Sequence, residues 1–397
     1  MTAPAHTDRH ASWLELFFDL VVVVAVNQLA HQLHGEGHHG PGGREIVTFL
    51  TLYLTIWLLW TTFTLYSNVV ADKVHLRAMF FGMAGIATMA ATVPHSMDGR
   101  ANLFAAAYLI TNGIGTTTLM RSGRVLLSWT AASQNVGLVP WIVSFWVDDP
   151  WWKLGLWLFG LALTLSSSVF ASRGDQDELL AKMNESLARR NRRTERRRPD
   201  SQRPLIAAEV DAGHLGERLG LFVIIVLGEA MLQLVGAAAE IEDWRPGGGS
   251  GWLLLLLTVV SGFVLLITLW GLNVRYGFAE ESRFPPRFVL PAHFVVVAAV
   301  TTTAAGLGSV ASGYDAHLAT STTWLLCGGV SAFLLIVNLL VAHRRRWPLR
   351  ALAVALPLVM APLAGFVPAA VVAAVLAVAA MGQLWLLYAT RPIPSGA

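Results

Sequence analysis

Charge and cysteine are what this sequence has least of. Only 13% of its 397 residues are charged, against roughly a quarter in a water-soluble domain. The shortfall points to a surface that faces lipid. The single cysteine, Cys327, excludes an intramolecular disulfide framework and any cysteine-built metal site. The sequence holds no Walker A loop, no G-x-S-x-G elbow, no H-E-x-x-H and no Rossmann turn. Soluble-enzyme signatures are thus missing, so the reading leans away from an enzyme and leaves that question open; no cofactor is expected, and direct drive by ATP has no residues to run on.

What the chain has in quantity is hydrophobic sequence, 55% of its residues. Crossing a bilayer takes about 20 mostly apolar residues in a helix. Runs of that kind fall at 13–33, 46–70, 76–94, 101–120, 124–147 and 151–172, then at 214–239, 250–276, 288–311, 318–342, 349–367 and 368–390. The reading is an all-α polytopic membrane protein of about twelve transmembrane helices. Pro368 separates the last two spans, because proline removes a backbone donor and clashes inside a helix. The first span carries Glu15 and Asp19 and lacks a small-residue cleavage pattern, so it is expected to stay as a membrane helix rather than leave as a signal peptide.

Basic residues alternate from loop to loop. With the N-terminus placed in the cytoplasm, one side receives Arg9, Lys73, Arg77, Arg121, Arg124, the 173–218 set, Arg275, Arg283, Arg287, Arg344, Arg345, Arg346, Arg350 and Arg391. The other side receives only Arg44, Arg100, Lys153 and Arg245. The positive-inside rule then puts both termini in the cytoplasm. Trp141, Trp146, Trp151, Trp152, Trp244 and Trp252 would form the aromatic belt of the opposite face.

Residues 173–213 form the one sizeable extramembrane segment. Its stretch 188–204, ARRNRRTERRRPDSQRP, is strongly basic. It reads as a cytoplasmic linker touching anionic lipid headgroups. Nucleic acid is not an expected partner, since no fold or aromatic platform accompanies the charge.

The flanking segments 1–172 and 214–397 look like two copies of one six-helix unit. Glu15 through Val21–Val24 to Asn27 lines up with Glu217 through Val223–Val226 to Glu229 at a constant offset. Thr64-Leu65-Tyr66-Ser67-Asn68 likewise resembles Thr268-Leu269-Trp270-Gly271-Leu272-Asn273. An even number of helices per copy makes the repeats parallel, related by an axis along the membrane normal.

Polar groups inside membrane helices cost about 2.5–3.5 kcal/mol each for charged residues, so each one needs a reason. Glu15 and Asp19 are four apart and share a face of the first span. They are candidates for a proton or cation relay, or for pairing with Arg77 or Arg218. Glu229, mid-span in LGEAMLQL, is a candidate protonatable site or a structural hydrogen-bonding group. Asn27, Asn68, Glu217, Asn273 and His293 are candidate partners in these networks. Asn112 and Asn135 read as interhelical hydrogen-bonding groups. The loop at 31–39 holds His31, His34, His38 and His39, but its glycines fix no ligand geometry. It reads as a solvated loop, with no metal site expected.

The run ASWLELFFDLVVVVAVNQLAHQL, and the segment from Glu217-Arg218 to Leu227-Gly228-Glu229, resemble the bacterial low temperature requirement A (LtrA) family. That family's hallmarks are an L-E-L-F-F-D-L-V run and an E-R-x-G-L-F-x-I-I-x-L-G-E motif. Tyr66, Asn68, Arg77 and His293 also look like family positions. The family pattern typically ends in an acid near the segment Trp270 to Tyr276, and this sequence has none there. A looser likeness joins Phe17-Phe18-Asp19 to the F-x-D motif of the endolysosomal potassium channels. The resemblance implies architecture more than activity.

Three functions stay open. In the first, the chain is a transporter or channel-like permease, with Glu15, Asp19 and Glu229 as coupling groups for a small solute or ion. In the second, it is an intramembrane enzyme or lipid-handling protein, using Glu229, His293 and Arg218. In the third, the chain is a structural or regulatory membrane protein, and every polar residue is bundle glue.

Overall fold

The computed structural model describes residues 10–33, 40–71, 74–126, 135–173, 176–194, 205–241, 251–278, 285–341 and 346–389. Among them are thirteen α-helices: α1 Trp13–Gln32, α2 Gly43–Val70, α3 Leu76–Thr92, α4 Ala101–Arg121, α5 Leu138–Val143, α6 Pro150–Arg173, α7 Gln176–Thr194, α8 Ala212–Ala239, α9 Gly251–Tyr276, α10 Pro286–Ser312, α11 Thr320–Leu340, α12 Trp347–Leu363 and α13 Ala369–Ala389. Eleven of the described helices are long and apolar enough to cross a bilayer. They coincide with eleven of the expected spans.

Side-chain exposure is inverted relative to a water-soluble bundle. On α1, Phe17, Leu20 and Val24 are half exposed, while Glu15, Asp19, Phe18 and Val22 are buried. Large apolar residues stand outward along α3, α9, α12 and α13 as well. A face of this kind is stable only against lipid.

The fifth expected span, 124–147, is not among the eleven. Residues 127–134 of it lie outside the described residues. Arg124–Val125 instead pairs in parallel with Ile206–Ala207, and after Asn135 the chain forms only the six-residue α5 and a 3₁₀ turn, Ser144–Trp146. Glycine explains part of the departure. A Cβ at Gly137 would lie 2.0 Å from the Gly160 carbonyl oxygen, and one at Gly160 would lie 2.6 Å from the Gly137 oxygen. Short α5 is therefore packed backbone to backbone against α6. Trp141, expected in the interfacial belt, is instead fully buried and stacked on Trp157 with ring centroids 4.8 Å apart. Trp146, Trp151 and Trp152 do stand exposed, and Trp244 lies outside the described residues.

The linker holds a helix that its charge pattern concealed. α7 carries Glu178–Lys182 and Glu185–Arg189 ion pairs at 2.6 and 2.5 Å, both at the i,i+4 spacing that supports an exposed helix. Residues 195–204 of the basic stretch lie outside the described residues. Beyond them, Asn184 clasps Leu205 by accepting from its N–H at 2.7 Å and donating to its carbonyl at 3.1 Å. Asn68 clasps Asp211 in the same two-way manner, at 2.9 and 3.0 Å.

The chain divides into two compact units. One comprises Ser12–Ala25 and Leu50–Asp211, and the other Met1–Ala11, Val26–Phe49 and Ala212–Ala397. α1 and α2 thus contribute residues to both. In the N-terminal unit α3 packs on α4, so closely that a Cβ at Gly85 would meet the Thr111 hydroxyl at 1.8 Å.

In the C-terminal unit α10 lies between α8 and α11, and α9 packs on α13. Buried Thr301, Thr302 and Thr303 on α10 donate their hydroxyls back to Val297, Ala299 and Ala299 carbonyls, which satisfies them within their own helix. The break at Pro368 is present. α12 ends at Leu363, and the orphan N–H groups of Ala369 and Ala370 donate to the Ala316 and Tyr314 carbonyls at 2.9 and 3.2 Å.

Candidate functional site

Among the polar networks on the described membrane helices, two hold the expected acids, one in each unit. The first is at the start of α1. Ser12 precedes the helix, and its N–H and hydroxyl both donate to Glu15 Oε2, at 2.9 and 2.8 Å. The Glu15 N–H donates back to the Ser12 hydroxyl at 3.3 Å. This reciprocal arrangement is a capping box, and the S-x-x-E spacing at 12–15 is its signature. It gives Glu15 a structural task that burial alone did not reveal.

One turn deeper, Asp19 is fully buried and its Oδ1 accepts a 2.7 Å hydrogen bond from Trp60 Nε1 on α2. A buried indole N–H requires an acceptor, and here it finds a carboxylate. Of the arginines considered as partners for these acids, Arg77 is exposed on the first turn of α3, and Arg218 on α8 is fully buried.

The second site lies in the C-terminal unit, where the last two turns of α1 meet α8. The Asn27 amide donates to Glu229 Oε1. Gln233, one turn further along α8, donates to the same oxygen at 3.1 Å, and also to His31 Nε2 at 3.1 Å.

Beside this chain of bonds is a cleft of about 390 Å³, lined by Asn27, His31, Leu232, Gln233, Gly236, Ala237, Glu240, Gly308 and Ser312. Glu229 stands one hydrogen bond behind its wall. Neither Gln233 nor the Trp60 indole emerged from the sequence. The signal for Gln233 was present, since Asn27/His31 and Glu229/Gln233 share the i,i+4 spacing that places side chains on one face.

Other expected site residues serve local packing. Glu217 accepts from the Ala11 N–H at 3.1 Å and from His10 Nδ1 at 3.2 Å, tying the segment before α1 to α8. Asn273 donates to the Gly220 carbonyl at 3.1 Å. His293 is completely buried, set edge-on to Phe222 and Phe278 with centroids 5.5 and 5.4 Å away, and it bonds the Leu219 backbone. Glu229 follows Leu219 by ten residues, about 15 Å of helix rise. The structure therefore does not bring His293 and Glu229 together. Of the histidine-rich loop, His34, His38 and His39 lie outside the described residues. Among the described residues no group of three metal-ligating side chains occurs.

Eleven spanning helices, with ionisable and amide groups set into them, define a polytopic helical membrane protein. Within that class the chain belongs to the LtrA family. Residues 10–384, nearly its whole length, match the family described as Bacterial low temperature requirement A protein (LtrA). It is also 28% identical over 251 residues to "Uncharacterized protein RA0937" of Rhizobium meliloti (strain 1021), covering 58% of this chain and 52% of that protein. The chain thus spans about half the length of this curated relative.

Proposed function

We propose that this LtrA-family protein is a permease that moves a small solute or ion across the bacterial cytoplasmic membrane, with Glu229 as the coupling group. The observation that carries the reading is the chain Asn27–Glu229–Gln233–His31 beside an open cleft. Charged side chains cost about 2.5–3.5 kcal/mol at the middle of a membrane helix and persist where they serve a pathway. Asp19, buried in the other unit against Trp60, is the second coupling group. Glu15, held in its capping box, is assigned to helix architecture. In this reading residues 1–172 and 214–397 are parallel repeats and 173–213 is their cytoplasmic linker. Both termini are cytoplasmic, and the basic stretch 188–204 lies against anionic headgroups.

The experiment is flux in liposomes. The purified chain is reconstituted, and proton and potassium movement are followed for wild type, Glu229→Gln and Asp19→Asn. The expected result is wild-type flux that falls at least about tenfold in Glu229→Gln, a rise of about 1.4 kcal/mol in the transport barrier, with unchanged melting. Flux that survives both substitutions would overturn the assignment of the carboxylates. Absence of flux for folded wild type would remove protons and potassium as cargo.

A further inference from the structure

The cleft beside Glu229 has a polarity that names its ligand. Consider first where the donors of its polar lining go. Asn27 donates through Nδ2 to Glu229, and Gln233 donates through Nε2 to both Glu229 and His31. Ser312 donates its hydroxyl to the Gly308 and Ser309 carbonyls, each at 3.2 Å. What these three side chains have left for a ligand is oxygen: Asn27 Oδ1, Gln233 Oε1 and the lone pairs of Ser312 Oγ. Glu240, exposed one residue past the end of α8, adds a carboxylate that only accepts.

Helix ends reinforce the same sign. α1 closes at Gln32, α8 at Ala239 and α10 at Ser312, and cleft-lining residues sit on the last turn of each. A helix C-terminus carries roughly half a negative charge, which favours cations. Three such ends, Glu240 at the rim and Glu229 behind the wall set a negative potential over the cleft. The rest of the lining (Leu232, Gly236, Ala237 and Gly308) is apolar. A volume of about 390 Å³ holds a small organic molecule.

We propose that this cleft is a binding site for a small protonated amine. Its ammonium N–H groups bond to Asn27 Oδ1, Gln233 Oε1 and Ser312 Oγ, its charge faces Glu240, and its alkyl part lies on Leu232 and Ala237. The proposal rests on the permease reading insofar as the amine is the cargo. The site itself is tested without transport.

Gly236 provides the decisive variant. It lines the cleft, and a Cβ placed on it meets nothing within 4 Å. Gly236→Leu therefore fills the cleft while leaving every polar group in place. The full chain is titrated in detergent with n-butylammonium, n-butyltrimethylammonium and n-butanol, followed by calorimetry and thermal melting. The expected outcome is saturable binding of n-butylammonium that raises the melting temperature. Binding is expected to be at least about tenfold weaker for the trimethylated cation, which has the charge but no N–H, and undetectable for the alcohol. Glu240→Gln and Ser312→Ala should each weaken n-butylammonium about three- to tenfold, and Gly236→Leu should abolish it with melting of the unliganded protein retained. Equal binding of both cations, or binding that survives Gly236→Leu, would overturn the site. No binding in wild type would do the same. Loss of n-butylammonium binding alongside intact carboxylate-dependent ion flux would sink the amine site alone, whereas n-butylammonium binding without liposome flux of n-butylammonium, protons or potassium would sink the permease reading alone.

Discussion

Asn27 and Glu229 are hydrogen-bonded to each other although 202 residues separate them in the chain, and one helical turn further on His31 and Gln233 are bonded at the same separation of 202. That separation equals the offset at which the segments beginning at Glu15 and Glu217 align. Residues at equivalent places in two copies meet only on the axis that relates the copies. On the duplication proposed above, the two bonds join equivalent residues of α1 and α8 at the axis of the repeats. The charge at this axis should then be transferable. Glu229→Asn alone is expected to lose flux, and Asn27→Glu combined with Glu229→Asn should recover at least about a third of it, because the carboxylate returns to the same hydrogen-bonded pair. Liposome flux on the two single variants and the double variant measures this. A double variant no better than Glu229→Asn would contradict the symmetric axis.

The capping box separates the two acids of α1. Ser12→Ala removes the hydroxyl that bonds Glu15 and is expected to cost about 1 kcal/mol, the usual loss for an N-cap. Glu15→Gln should be nearly neutral for stability, since glutamine can take the same capping position. Both variants should keep flux, in contrast to Asp19→Asn. Chemical denaturation in detergent reads the first quantity and liposome flux the second. A Glu15→Gln protein of full stability and no flux would return Glu15 to the coupling groups.

Much of this was open to reading before any coordinates. Eleven spans were legible because length and apolarity are both linear properties of sequence, and the break at Pro368 because proline acts locally. The stretch 124–147 reads as a span because its tryptophans, valines and leucines keep it apolar, while its described part holds only short elements. Where its described part packs on α6, two glycines meet, Gly137 on Gly160, a contact that exists only once α6 is in place. Helix α7 was hidden because its net basic charge dominated the reading, while its Glu178–Lys182 and Glu185–Arg189 spacings were the informative part. At the sites, Asn27, Asp19 and Glu229 declared themselves as polar atoms in apolar helices. Trp60 did not, because an indole in a run such as Trp57-Leu58-Leu59-Trp60 is equally suited to lipid, and only packing decides that its N–H reaches Asp19. Gln233 and His31 required reading two helices against each other rather than one at a time.

The close approach at Gly137 makes a stability prediction. A methyl group there would sit 2.0 Å from a backbone oxygen of α6 and 2.2 Å from the Thr164 hydroxyl, and backbone cannot move aside as a flexible side chain can. Gly137→Ala is expected to destabilise the chain by about 1–3 kcal/mol, the range for overpacking. Gly113→Ala is the matched control, since its Cβ meets nothing within 4 Å and alanine suits a helix better than glycine by up to ~1 kcal/mol. Melting temperatures of the two variants in the same detergent should move in opposite directions.

Helix α7 should have a pH window of its own. The bond to Arg189 holds the Glu185 carboxyl below its usual range, and the bond to Glu178 raises Lys182 above its own. Linkage gives each pair a sign. A depressed carboxylate contributes above its ordinary value and loses that contribution as pH falls through the folded value. A raised lysine contributes below its ordinary value and loses that contribution as pH climbs through the folded one. Both pairs are fully exposed, so salt should weaken them. Hydrogen exchange across 176–194, corrected for intrinsic rates, should be slowest between the carboxylate and lysine ranges and faster on either side. Arg189→Gln should reduce the acid limb and leave the basic one, and Glu178→Gln should remove the basic limb. A profile flat with pH in wild type would show that α7 owes its helix to its neighbours rather than to its own charges.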